Sequence, residues 1–285
     1  MSVTTNNRVQ KRSGRFYEIP EIGLVPSVTT ILSSISKPAL VNWAAKVERE
    51  MVVAVSTDLY LERREKKLTS SQWQMMLNGR LGTLKASQRE LTKAGDIGSE
   101  VHALVEWTIR TELMQKVGPS PKIRDAAQWA FMAWEDWKKS VRLKPIAVEQ
   151  VVYSTKYGYA GTLDLLAEVN GVLTVIDWKT GKAVYSEAHL QNAAYRQAVA
   201  EMGHGEPQQG IIVRLPKNTE DPEFEAVMAD EVTNSFETFL HVMEMWKWIQ
   251  KKDKEYEAKK IRDEAMSQMS AKSASEQIQQ PSTQF

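Results

Sequence analysis

The dipeptide Asn170-Gly171 sits between two apolar runs within residues 159–180, and nothing else in the chain limits its folding as tightly. Asn-Gly is the pair that most readily takes the two positive φ angles of a type I′ turn, and runs rich in Val, Leu and Ile on either side read as the strands of a hairpin. A two-residue turn places Val169 opposite Val172. Asp164 lies five residues before the first and Asp177 five after the second, so the two acids face each other across the hairpin. Facing Cβ atoms are roughly 4.5 to 5.5 Å apart, and like charges there are destabilising unless something compensates them; a divalent cation would do so. Side chains alternate along a strand, so Lys179 shares the face of Asp177, one step further on. The strands are otherwise apolar on both faces, the pattern of the middle of a sheet. The alternative for the three charges is a solvated cluster at the open end of a hairpin, and a bulge would move the pairing by one.

A chain of 285 residues with 42% hydrophobic content can bury a substantial core. The formal net charge is +1, so a basic groove for a polyanion has to be local. There is no cysteine, which excludes disulfides, thiolate zinc sites and a cysteine-held iron–sulfur cluster. No apolar run approaches the ~18 residues of a membrane span, and the first residues lack the hydrophobic core of a signal peptide. The expectation is a globular intracellular protein without membrane association.

Along the chain, residues 1–15 carry Arg8, Lys11, Arg12 and Arg15 without an acid and read as a disordered basic arm. Residues 16–93 read as a helical N-terminal region, with Ser27 and Ser36 as caps of two short helices. Val101, Leu104, Val105 and Ile109 recur at helical spacing and put His102 on a helix beside a buried stripe. Gly98 lies one turn before His102 and suits close approach of another group; Glu106, one turn after it, is a candidate companion. A helix over 119–141 carries Trp129, Ala130, Ala133, Trp134 and Trp137 as a core stripe. The strand over 145–153 holds Glu149, a charge in an apolar setting that calls for a partner. A helix over 186–202 stacks Gln191 and Tyr195 at i and i+4, two strands follow over 209–215 and 224–228, and an amphipathic helix covers 230–250. The core thus spans 94–265, and the Ser/Gln-rich residues 266–285 read as a disordered tail.

In order, Gly98-x-x-x-His102, Glu149, Gly161-Thr-Leu-Asp164, Asp177-Trp-Lys179 and Gln191-x-x-x-Tyr195 resemble the RecB-type branch of the PD-(D/E)XK nuclease superfamily, and the likeness extends to the small exonucleases of phages and of mitochondrial genome maintenance. The resemblance covers residues 94–215 and rests on five motifs in family order. It implies an α/β fold, a mixed central β-sheet flanked by helices. It implies His102, Asp164 and Asp177 as metal ligands with the Trp178 main-chain carbonyl, Lys179 as the group that orients the attacking water, Glu149 as an accessory catalytic acid, and Gln191 and Tyr195 as DNA-positioning residues. The cofactor it implies is Mg²⁺, with Mn²⁺ accepted because histidine is an unusual magnesium ligand; the branch that carries an iron–sulfur cluster is excluded by the missing cysteines.

The function so implied is a metal-dependent DNA exonuclease acting on single-stranded DNA or duplex ends in recombination, repair or replication, in the cytoplasm of a bacterial host or in mitochondria. A single-strand annealing protein is the partner suggested by family likeness. The alternatives are a structure-specific endonuclease for flaps or junctions, and a DNA-binding protein that keeps the fold without catalysis.

Overall fold

A computed structural model describes residues 8–11, 13–218, 220, 223–229 and 232–278. In chain order its elements are β1 (Arg8–Lys11), β2 (Gly14–Ile19), β3 (Gly23–Pro26), α1 (Val28–Leu32), α2 (Pro38–Lys66), α3 (Ser70–Leu81), α4 (Ala86–Glu112), α5 (Asp125–Ser140), β4 (Leu143–Ser154), β5 (Tyr159–Val169), β6 (Val172–Thr180), α6 (Ser186–Glu201), β7 (Gln209–Leu215), β8 (Glu225–Met228) and α7 (Val232–Ile278).

The sheet that carries the acids has the order β4-β5-β6-β7-β8, antiparallel throughout except for the parallel pair β6 and β7. Its origin is the expected turn: Asn170 and Gly171 take φ of 52° and 88° and join β5 to β6. The parallel pair needs a crossover, which α6 supplies. Helices α4 and α5 cover one face. Val101, Val105, Ile109, Ala130, Trp134 and Trp137 meet Leu165, Ala167, Ile176 and Trp178 there, and Trp178 is edge-on to both Trp134 and Trp137. The alternate residues Val175 and Lys179 turn to the other face, where the α6 side chains Asn192 and Gln191 bond the Val175 carbonyl and the Lys179 ammonium. The architecture is the expected mixed sheet flanked by helices.

The N-terminal part differs from the sequence reading. Residues 8–11 and 14–15 are strand, and β1, β2 and β3 form an antiparallel sheet instead of an arm followed by helices; residues 1–7 and 12 lie outside the described residues. The cause is burial. Tyr17, Ile19 and Val25 pack with Val151 and Ala160 of the main sheet, which outweighs the polar composition of the segment. Ser27 caps α1 as expected, accepting from the Thr30 N–H at 3.0 Å. Ser36 does not cap α2, which begins with Pro38 at its first turn. α3 runs unbroken through Asn78-Gly79, started by a Thr69/Gln72 capping box and stopped at Gly82.

Phe236 and Phe239, in the first turns of α7, pack on Tyr159, whose ring centroid is 5.1 Å from that of Phe239. A second unit begins at Leu240. Within it the helix continues to Ile278, where the sequence reading expected disorder from 266. Good helix formers and the pairs Lys252–Glu255 and Lys260–Glu264 sustain it. Residues 279–285 lie outside the described residues.

Candidate active site

The β5–β6 ladder follows the register set by its turn, from Val169 opposite Val172 to Leu165 opposite Ile176, and stops one pair short of the two acids. Beyond that point β6 continues beside β7, with Asp177 next to Ile212, while β5 stays with β4. The expected face-to-face pairing of Asp164 and Asp177 is therefore corrected: the strands part at the acids. The Trp178 N–H, turned toward β5, donates instead to Asp164 Oδ2 at 2.8 Å. Both carboxylates stand in the gap beyond the last pair, close enough that Asp164 still acts on Asp177.

Glu149 enters this gap through a backbone anomaly. Its neighbours Val148 and Gln150 pair with Leu165 and Leu163, while Glu149 is left out of the ladder with φ of 48°. A non-glycine residue in left-handed backbone costs on the order of 1 kcal/mol or more, and such strain gathers at functional sites. The carboxylate so placed lies 3.7 Å from His102 Nδ1, and Asp164 Oδ1 lies 3.4 Å from the same nitrogen. Ligand atoms of His102, Glu149 and Asp164 all fall within 4.8 Å of one another. Glu106 is not part of the group; it pairs with Arg110.

Asp177 is 1% exposed, and its carboxylate touches Lys179 Nζ at 2.6 Å, yet neither of its oxygens accepts an aligned hydrogen bond. Lys179 Nζ also donates to Gln191 Oε1 at 3.0 Å, and Gln191 Nε2 donates to the Tyr195 hydroxyl at 3.1 Å. The polar atoms of Gln191 and Tyr195 thus turn to each other and to Lys179. Tyr195 is buried against Gly161 rather than open to a base. A Cβ at Gly161 would overlap the Tyr195 ring edge. Gly161→Ala is therefore expected to lower folding stability by about 1–3 kcal/mol in denaturant titration, by overpacking the ring that supports Gln191 and Lys179. On α4, a Cβ at Gly98 would come within 2.9 Å of Thr180 Oγ1, so the expected close approach is that of β6.

Arg8 is a site residue that the sequence reading placed in its arm. From β1 it donates to Thr162 Oγ1 at 2.6 Å and lies 3.9 Å from Glu149 Oε2. The signal was present in the Arg-Phe-Tyr-Glu-Ile run of β2, whose aromatic and branched residues favour a strand that needs a partner.

The charges set one another. Burial pushes the Asp177 carboxyl up, Lys179 opposes this and Asp164 adds to it, leaving its pKa at about 6. Burial also acts on Asp164, but His102, Lys179 and the Trp178 N–H outweigh it and hold this carboxyl below its ordinary range. Burial disfavours the charged imidazole of His102, yet Asp164 and Glu149 carry its pKa up to about 10. Lys179 is likewise desolvated but is held above its ordinary value by Asp177 and Asp164. Near neutral pH it is an ammonium, suited to stabilising negative charge and unsuited to taking a proton.

The donor set fits a divalent cation. His102, Glu149 and Asp164 offer carboxylate oxygens and one imidazole nitrogen without sulfur, and beside them Asp177 is a buried carboxylate whose oxygens lack hydrogen-bond donors. His102 and Asp164, two of the expected ligands, stand together with Glu149. Asp177, the third, is held by Lys179. The Trp178 peptide lies at the gap through its N–H, and its indole is buried in the core.

A candidate exonuclease of Eubacterium rectale is 16% identical over 59% of this chain and 68% of that one, with a TM-score of 0.38. The alkaline exonuclease of Laribacter hongkongensis is 14% identical over 62% of this chain and 90% of that one, with a TM-score of 0.24. No curated protein matches the sequence. The sequence profile of the PD-(D/E)XK nuclease superfamily, however, matches residues 68–273, most of the chain and every strand and helix that shapes the site apart from the N-terminal sheet. The chain belongs to the PD-(D/E)XK nuclease superfamily.

Proposed function

We propose that the protein is a Mg²⁺- or Mn²⁺-dependent deoxyribonuclease that hydrolyses phosphodiester bonds from strand ends. The observation that carries this reading is the parting of β5 from β6 at Asp164 and Asp177, which brings His102, Glu149 and Lys179 to one gap. His102, Asp164 and Asp177, with Glu149 and the Trp178 carbonyl, would hold the metal. When bound, the metal supplies a nucleophile from water near neutral pH and relief of charge on the phosphate.

The chain's own residues do the rest. Lys179, fixed by Asp177 and by the Gln191–Tyr195 relay, places a positive charge where negative charge grows on the phosphate. Its ammonium also donates a hydrogen bond that orients the attacking water. Arg8 adds a second cation beside Glu149. Gln191 and Tyr195 act on DNA through Lys179. Among the described residues no helix is long and apolar enough to cross a membrane. The proposed substrate is single-stranded DNA or a duplex end, in recombination, repair or replication.

Requirement for an end is tested with a single strand labelled at one terminus, the same strand labelled at the other, and a covalently closed circle of the same sequence. The expected result is metal-dependent release of short labelled products from the linear strands and an intact circle. Cutting of the circle at a comparable rate would replace strand-end hydrolysis with internal cleavage.

A further inference from the structure

A cleft of about 410 Å³ leads away from His102 and Lys179, between α4 and the residues that join β6 to α6. Its volume is that of a small-ligand site. Two glycines of α4 line it, Gly95 and Gly98. Gly98 is explained by the closeness of Thr180, but a Cβ at Gly95 would meet nothing within 4 Å. A glycine inside a helix lowers its stability relative to alanine, so an unhindered one is a cost without a packing reason. What lies in front of Gly95 is the cleft. Tyr185, 58% exposed, is an aromatic side chain among the other residues that line it. The acid in the lining, Glu187, is neutralised by Lys37. Lys179 stands at the inner end, and Lys217, anchored on the Ala94 carbonyl at 3.1 Å, lines the wall.

We propose that this cleft holds the nucleotide next to the scissile phosphate of a single DNA strand. The base stacks on Tyr185, the backbone runs along Lys179 and Lys217, and Gly95 keeps the space open. The assignment of the neighbouring phosphate rests on the nuclease reading; the nucleotide site itself rests on the cleft. Base stacking on an aromatic tolerates any sequence because every base has a π face.

The test uses the full chain carrying Asp177→Asn, so that bound DNA stays intact, and a short single-stranded oligonucleotide containing 2-aminopurine, followed by fluorescence and anisotropy in Mg²⁺. Tyr185→Ala is expected to weaken binding by about fivefold to a hundredfold and to abolish the fluorescence change, while Tyr185→Trp retains both. Gly95→Met is expected to weaken binding at least about tenfold with a melting temperature no lower than its parent, since methionine favours the helix. Parent-like binding by Tyr185→Ala and Gly95→Met would overturn the proposal. The two readings fail separately. A protein that cuts DNA but ignores both substitutions keeps the nuclease and loses the cleft. One that binds through Tyr185 and Gly95, yet whose native form cuts nothing in Mg²⁺ or Mn²⁺, keeps the cleft and loses the nuclease.

Discussion

Asp177→Asn is expected to abolish cleavage, by about a thousandfold or more, and at the same time to make the metal-free protein more stable. The first effect follows from losing a carboxylate that holds the metal and fixes Lys179: several kcal/mol of transition-state stabilisation correspond to about three powers of ten in rate. The second follows from the raised pKa. Asp177 is 1% exposed, and burial, with the help of Asp164, holds its carboxyl at about 6 against an ordinary 3.8. An acid whose pKa is raised on folding favours the native state while it keeps its proton and penalises it once ionised. The penalty grows between pH 3.8 and about 6 and is complete above that, amounting to up to about 3 kcal/mol. Asparagine has the shape of the protonated acid and never ionises. The variant should therefore melt several degrees higher at pH 7.5 and match the native protein near pH 4, as read by thermal melts in chelator. Equal melting at both pH values would mean that Asp177 is not held in a disfavoured charged state.

Metal affinity should rise about tenfold for each pH unit from about 7 to about 10. In the metal-free site His102 is protonated up to about pH 10, because Asp164 and Glu149 overcome the effect of burial. A coordinating imidazole must be neutral, so one proton leaves for each metal bound while both aspartates are already ionised. Titration calorimetry with Mn²⁺, repeated in buffers of different ionisation enthalpy at pH 7.5, should report release of one proton. His102→Asn should bind Mn²⁺ more weakly and lose the pH slope. A native affinity that does not change with pH would remove His102 from the ligand set.

The strength of the sequence reading lay where geometry is local. Asn170-Gly171 fixes the turn, the turn fixes the register through Leu165 and Ile176, and period-two alternation places Lys179 on the face of Asp177. What it missed depended on partners distant in sequence. β6 runs on beside β7, more than thirty residues further along the chain, past the last pair that it makes with β5, and the hairpin turn alone does not reveal where that ladder ends. Glu149 reaches His102 through a left-handed backbone that periodicity treats as ordinary strand. Arg8 looked like part of a polar arm because its strand is held by Tyr17 and Ile19 against Val151, contacts that composition does not display. Tyr195 was legible as a partner of Gln191 but not as a buried one, since the ring that fills the space at Gly161 is 34 residues away.

The most direct measurement of the central claim is a time course on a linear, end-labelled single strand, with the native protein and Asp177→Asn side by side, first in chelator and then in Mg²⁺ or Mn²⁺. The account predicts no cleavage by either protein in chelator, rapid cleavage by the native protein once metal is added, and none by the variant. Cleavage in chelator, or metal-dependent cleavage retained by Asp177→Asn, would contradict it, as would a native protein that leaves the strand intact in both metals.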